Sequence, residues 1–440
     1  MTTAPFAITS TTIVTGDHAG TVLPDHTIVV GDSGLIEAVG PTTSVVVAPE
    51  YARVDGTGKF VAPGLINAHA HLFSDGKPLS PILTNKKLEG PVSKFFHSPI
   101  GTVIAKRRTR TNVETQLHSG VTTIRSLGDV AYEVAAVRDE ITAGKCPGPR
   151  VLASGPLLAV SGGHGAPVIA LVSDNPWDAR KNVRINLRNG VDVIKIAATG
   201  GVTDARTIGE AGRPQMTEEE MTAICDEAHR AGLVVAAHAE SLAGVKAALR
   251  AGVDTIEHGS EMDNEIIDLF GDNPRALHGR SALVPTLMAA LPLVKLDRAD
   301  TGITPIVAAN AEIVLDRIIS AVHAAQKNGI RMGMGTDSSV TYVTHYNTWR
   351  EIDYVIRYAG LSPASAFHAA TGANAAILGI DDVTGSVSVG KSADLVLVDA
   401  NPLDDLRTFT NPNMVVMAGT RIERPGVQRF DDLDAQLDSF

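Results

Sequence analysis

Cysteine is scarce in this chain. Cys146 and Cys225 are far apart and form no CxxC pair, which excludes a disulfide framework and reads as two reduced thiols in a cytoplasmic protein. Aromatic residues reach only 4%, so no aromatic cage stands out. No apolar run is long enough to cross a bilayer, and the start, Met1-Thr-Thr-Ala-Pro-Phe-Ala-Ile8, lacks a basic segment followed by an apolar one. Neither a membrane span nor a signal peptide is therefore expected. Excess positive charge is missing too: the net charge is −11, which argues against broad affinity for nucleic acid. What is present is ordinary globular composition, with 44% apolar and 20% charged residues over 440 positions. That is enough for one large α/β domain and a smaller one.

Residues 1–61 are β-rich and turn-rich, with short runs at Phe6 to Thr15, Thr27 to Val30, Leu35 to Val39 and Ser44 to Val47. From residue 62 the pattern changes. A helical segment, a Gly and then an apolar run recurs at Gly120, Gly190, Gly232, Gly252 and Gly329. Gly can end a helix in the left-handed conformation, and the run after it enters a buried parallel strand. Thr111-x-x-Glu114 and Thr217-x-x-Glu220 read as capping boxes that open helices, and Ser362-Pro363 as a helix start. Candidate strands lie near 63–69, 121–126, 150–155, 191–197, 233–238, 255–258, 282–286 and 330–335. Repeated βα units over residues 62–375 predict a (β/α)8 TIM barrel with insertions. A doubly wound open sheet competes, but no Gly-rich phosphate turn follows the first strand. Residues 376–425 return to β-rich sequence. The fold class is thus α/β, a barrel plus a small β-sandwich built from both chain ends, with 426–440 as a loose acidic tail.

Residues 72–110 are too long for a simple βα connection. They hold Lys77, Lys86, Lys87, Lys94, Lys106, Arg107, Arg108 and Arg110 against Asp75 and Glu89. Two readings stay open: a lid that attracts an anionic substrate, or a solvated or subunit-contacting excursion.

Chemistry concentrates at the predicted strand ends. Pro63-Gly-Leu-Ile-Asn-Ala-His69-Ala-His71 is an apolar strand ending in His-x-His, and alternation points both imidazoles the same way. Lys195 lies inside the apolar strand Val191-Asp-Val-Ile-Lys-Ile, Val234-Val-Ala-Ala ends in His238, Thr255-Ile-Glu in His258, and Met332-Gly-Met-Gly-Thr in Asp337. In a barrel these ends converge on one face. Four imidazoles, a carboxylate and a Lys meeting there suit Zn, Mn, Fe or Co.

This ordered set resembles the amidohydrolase superfamily, from the approach Val61-Ala-Pro-Gly to the closing Gly390-Lys-Ser-Ala-Asp394-Leu-Val. The resemblance implies two divalent metal ions, Zn being the first choice, and CO2 carried as a carbamate on Lys195. It assigns His69, His71 and Asp337 to one metal, His238 and His258 to the other, and Lys195 to both. Ser161-Gly-Gly-His164-Gly, Ile194-Lys-Ile-Ala-Ala-Thr-Gly-Gly201, Val284-Pro-Thr286 and Thr371-Gly-Ala-Asn374-Ala are similar to the imidazolonepropionase-related, prolidase-like branch. That branch includes Xaa-Pro and Xaa-Arg dipeptidases, ochratoxin-type amidases and phenylurea hydrolases. In it the Gly-Gly-His-Gly loop is often followed by an acidic residue, where this chain has Ala166.

The implied activity is hydrolysis of a C–N bond in an amide, dipeptide, N-acyl amino acid, urea or carbamate. A metal-bridging hydroxide would attack and Asp337 would act as general base, then acid. His164 reads as a carbonyl polariser or as a plain loop histidine, and Tyr342, His345 and Asn347 as substrate contacts or as a self-bonded loop. A mononuclear deaminase of the same superfamily is the alternative, but such enzymes usually lack the strand-four Lys and carry a Glu after the strand-five His; here Glu240 follows His238 by two. A non-catalytic scaffold ranks below both, because every expected ligand is present. The partners implied are a small-molecule substrate and, by analogy, further copies of the chain in a homo-oligomer, with no nucleic acid and no membrane.

Overall fold

The computed structural model describes residues 4–78 and 89–440. Lys86 and Lys87 of the basic stretch lie outside the described residues, as does the beginning of the chain through Thr3. Strands β1 (Phe6–Val14), β2 (Val22–Val30), β3 (Ile36–Pro41), β4 (Ala52–Asp55) and β5 (Phe60–Pro63) come from the N-terminal part. Next in the chain are β6 (Leu65–Ala70), β7 (Val121–Ser126), β8 (Arg150–Ala153), β9 (Leu157–Ala159), β10 (Ala170–Val172), β11 (Ile194–Ala197), β12 (Val235–Ala239), β13 (Thr255–His258) and β14 (Ala282–Val284). The last are β15 (Leu395–Val398), β16 (Met414–Met417) and β17 (Thr420–Glu423). Strands from both chain ends form one eight-stranded sheet, ordered β17-β16-β15-β5-β1-β2-β3 with β4 on β1. The junction is β5 against β15, antiparallel, pairing Pro63 with Leu395 and Phe60 with Val398.

The middle of the chain is a mixed α/β region with two parallel sheets, β6-β7-β8 and β10-β9-β11-β12-β13-β14. Strands β6, β7, β9 and β11 to β14 are buried along their whole length, as expected of parallel strands covered by helices. The helices Pro176–Arg188, Glu218–Arg230 and Leu242–Ala251 supply Val183, Ile224 and Val245 to a core shared with Ile194, Val235 and Ile256. The helix–Gly–strand signature is realised at Gly120, Gly190, Gly232 and Gly252, each followed by a strand within a few residues. Gly252 ends its helix at φ 103°, and a Cβ there would stand 2.7 Å from the Arg275 carbonyl oxygen. The capping box at Thr217 forms: its hydroxyl accepts from the Glu220 amide at 3.2 Å and the Glu220 carboxylate accepts from the Thr217 amide at 2.9 Å.

Three expectations need correction. Thr111 opens no helix. The helix Pro99–His118 runs through it, capped instead by Ser98. The upstream turns are already helical, so the Thr111 hydroxyl turns back to the Arg107 carbonyl at 3.4 Å. Residues 330–335 form no regular strand. They touch their neighbours through isolated parallel bridges, Met332 to Leu283, with Ser338 further on bridging to Ala70. Some backbone bonds remain, Gly333 N–H to the Leu283 carbonyl at 2.8 Å and Ala68 N–H to the Met334 carbonyl at 3.0 Å, and the Asn374 side chain enters between them: it donates to the carbonyls of Ile66 (2.6 Å) and Met334 (2.8 Å) and accepts from the Met334 amide at 3.0 Å. Gly333 and Gly335 leave the space, since a Cβ at Gly335 would stand 2.4 Å from that of His69. Finally, the tail is docked. Helix Asp431–Leu437 buries Leu433 and Leu437, Asp438 pairs with Arg350 at 2.7 Å, and Asp434 accepts from Asn347 at 2.8 Å.

The basic stretch ends in two helices, Glu89–Phe96 and Pro99–His118. Lys106 and Arg110 pair with Glu140, while Phe95, Ile100 and Val103 are exposed. Both cysteines are free. Among the described residues no helix is long and apolar enough to cross a membrane.

Candidate metal centre

His69 sits near the end of β6 and His71 just beyond it. Both turn their Nε2 toward Asp337 Oδ1, at 3.4 and 3.1 Å. Each imidazole is anchored through its other nitrogen. His69 Nδ1 lies 2.8 Å from Glu257 Oε2, and His71 Nδ1 2.9 Å from the Gly128 carbonyl. His258 Nδ1 lies 2.7 Å from Thr286 Oγ1. Anchoring one ring nitrogen fixes the orientation of the other, the usual preparation of a ligand histidine.

Glu257 and His258 are neighbours, which simple alternation would send to opposite faces. Yet Glu257 bonds His69, and the His258 ring lies 5.1 Å from the same imidazole. The backbone resolves this, because His258 adopts φ 69° and Asp337 φ 60°. Such left-handed residues cost about 1–3 kcal/mol each and collect where side chains must be re-aimed. Behind His69, Arg125 donates to Glu257 Oε1 at 2.9 Å and to the Ala68 carbonyl at 2.6 Å, all fully buried.

Beyond His258 stands His238, with rings 4.6 Å apart. Its Nε2 is 3.2 Å from the Gly200 carbonyl and 3.7 Å from Glu240 Oε2. His164 stacks on it at 4.1 Å and 20° and pairs with Asp204 through Nδ1. Two buried triads, His69–His258–Asp337 and His238–Glu240–His258, each hold their donor atoms within 4.8 Å of one another. Lys195 is buried between β9 and β12, and its Nζ has no hydrogen-bond partner; neither has Glu240 Oε2.

Electrostatics divide these groups. Burial drives Lys195 down to about 8, toward the neutral amine, and drives Glu240 up to about 8. Burial also opposes charge on Asp337 and Glu257, but the former gains more from His69 and His71, the latter from Arg125 and His69, and both are held well below the usual carboxylate range. Burial keeps His238 and His258 neutral, the form that binds a cation. For His164 burial is outweighed by Asp204, and its value rises.

The structure therefore brings His69, His71, His238, His258 and Asp337 together, with Lys195 coupled to Asp337 and Glu257 and His164 against His238. The other candidates have bonds elsewhere. Tyr342 donates to the Asp300 carbonyl at 3.1 Å and packs with Leu293 and Leu433. His345 bonds the Ser74 carbonyl at 2.7 Å and Gln116 at 3.1 Å, and burial lowers it to about 4.

A family model described as the amidohydrolase family matches residues 60–422. The chain belongs to the amidohydrolase family. Its match to this amidohydrolase model begins at β5 and ends at β17. A solved structure from Bifidobacterium longum, provisionally named a prolidase, is 51% identical with a TM-score of 0.88, covering 100% of this chain and 99% of that one. A Xaa-Pro dipeptidase structure with methionine bound in its active site is 29% identical with a TM-score of 0.80, over 95% of this chain and 100% of that one. Ochratoxinase from Aspergillus niger is 28% identical over 342 residues, 71% of this chain and 67% of its own length.

Four residues around this amidohydrolase centre escaped the sequence reading: Arg125, Glu257, Thr286 and Asp204. Two left a signal. Arg125 and Glu257 are charges inside otherwise apolar or β-branched strands, as Lys195 is. Thr286 closes the Val284-Pro-Thr286 segment of the resemblance, which gives it no role, and Asp204, outside the strands, left no signal.

Proposed function

We propose that the protein is a metal-dependent hydrolase of C–N bonds in small molecules: amides, dipeptides or N-acyl amino acids, ureas or carbamates. In this reading the two parallel sheets are the staves of a closed (β/α)8 barrel, and the eight-stranded sheet is its β-sandwich companion. The observation that carries it is the gathering of His69, His71, His238, His258 and an ionised Asp337 in one buried cluster that also holds two side-chain atoms, Lys195 Nζ and Glu240 Oε2, without a protein hydrogen-bond partner.

That donor set fits divalent cations with borderline nitrogen and oxygen preference, Zn first and Mn, Fe or Co as alternatives. His69, His71 and Asp337 would hold one and His238 and His258 the other. Lys195 would bridge them as a carbamate: its neutral amine forms a C–N bond to CO2 and loses one proton to solvent, which gives an anionic ligand. When bound, the cations supply carbonyl polarisation and acidify water. Asp337, ionised at neutral pH, takes the proton from the attacking water and passes it to the leaving nitrogen. His164, held by Asp204, donates to the substrate carbonyl oxygen. Relatives named prolidase, Xaa-Pro dipeptidase and ochratoxinase support an amide-type substrate. A cytoplasmic homo-oligomer remains the expected setting.

The test is to remove metal with a chelator, restore Zn or Mn, and assay N-acyl amino acids, dipeptides, aryl ureas and carbamates. Activity lost on stripping and regained on reloading supports the reading. Activity that survives complete stripping overturns it.

A further inference from the structure

Glu240 is the buried acid that the proposed function leaves unused. It follows β12 directly, two residues after His238, so both side chains leave the backbone on the same side. Its backbone is pinned at both ends. The amide donates to Thr199 Oγ1 at 3.2 Å, and the carbonyl accepts from Arg317 Nη1 at 2.9 Å. Gly212 packs so closely that a Cβ there would stand 2.5 Å from the same carbonyl. Carboxylate Oε2, in contrast, comes only as near as 3.7 Å to His238 Nε2. The residue is only 4% exposed, Oε2 has no hydrogen-bond partner, and Arg317 reaches the backbone oxygen instead. A buried carboxylate is ordinarily paired or on a metal. Its donor atom lies within 4.8 Å of those of both His238 and His258.

We propose that Glu240 is an additional protein ligand of the second cation, so that His238, His258 and Glu240 form a site able to hold a divalent metal without the Lys195 carbamate. The inference rests on the two-metal reading above and adds a ligand to it. Loss of that carbamate then weakens the second site and leaves it in existence.

The experiment uses the full chain, stripped of metal and titrated with Mn(II), with bound ion counted by electron paramagnetic resonance and by elemental analysis after equilibrium dialysis. The wild type is expected to bind two ions. Glu240→Gln is expected to weaken the second by at least tenfold and to leave the first within twofold, the intact first site serving as the control for folding. Lys195→Met is expected to keep a weakened second site, and Lys195→Met combined with Glu240→Gln to bind one ion. A second-site affinity within twofold of wild type in Glu240→Gln overturns the inference alone. So does complete loss of the second ion in Lys195→Met. A wild type that binds fewer than two ions overturns the two-metal reading and this inference with it.

Discussion

The two halves of the centre are built differently. Behind His69 and His71 the anchoring groups are all tied: Arg125 to Glu257, Glu257 to His69, His71 to Gly128. Around Lys195 and Glu240, two buried polar atoms have no hydrogen-bond partner. A complete network holds its shape without help, whereas an incomplete one pays a desolvation cost that only an added group can offset. The first half is thus pre-organised by the fold, and the second is shaped for what arrives from outside.

That contrast can be broken or sharpened by substitution. Asp337→Asn keeps the shape and removes the proton acceptor. Turnover should drop about 10²–10⁴-fold, with the melting temperature little changed, as steady-state kinetics beside a thermal melt will reveal. Glu257→Gln leaves the Arg125 guanidinium buried without its counter-charge, and should cost about 3–5 kcal/mol of stability. Denaturant unfolding of the metal-free chain measures it. A loss below 1 kcal/mol would show that the tied half is not what rigidifies the centre.

Lys195→Met should act in the opposite direction. In the metal-free chain it removes an unpartnered buried amine and should stabilise by about 1–3 kcal/mol, while the metal-loaded chain loses activity. A destabilised metal-free variant would mean that Lys195 belongs to the tied half after all. The effect furthest from the cluster concerns Glu351, whose carboxylate accepts from the amides of Leu287 (2.8 Å) and Met288 (2.7 Å). Burial raises it to about 8, above the ordinary unfolded value. A raised folded value means the protonated form is favoured on folding. Its contribution is present below the unfolded value and is lost as pH climbs through about 8. Glu351→Gln should therefore flatten the fall in melting temperature between pH 5 and 8, and an unchanged slope would contradict this.

Much of this centre is legible in the sequence because parallel strands bury both faces. A His or Lys at the end of such a run has few reasons to be there, so His69, Lys195, His238 and His258 stand out. Asp337 stands out by its place after a Gly-rich approach. Less legible are features that depend on backbone conformation. The left-handed φ of His258 lets Glu257 and His258 serve one site, against alternation. The segment at 330–335 has strand-like sequence, but at Met334 the side chain of Asn374, from far along the chain, takes the amide that a neighbouring strand would otherwise bond. The acidic tail looks like a solvated extension, yet Leu433 and Leu437 are spaced to bury one helical face. Tyr342 and His345 have the residue types of substrate contacts, and nothing in the sequence signals the bonds they make to the Asp300 and Ser74 carbonyls.

The most direct measurement is anomalous diffraction from crystals of the Zn-loaded protein, collected at the zinc edge. Two peaks are predicted, one among His69, His71 and Asp337 and one between His238 and His258, with carbamate density on Lys195 reaching both. A single peak or none, beside a bare Lys195 amine, would contradict the two-metal centre.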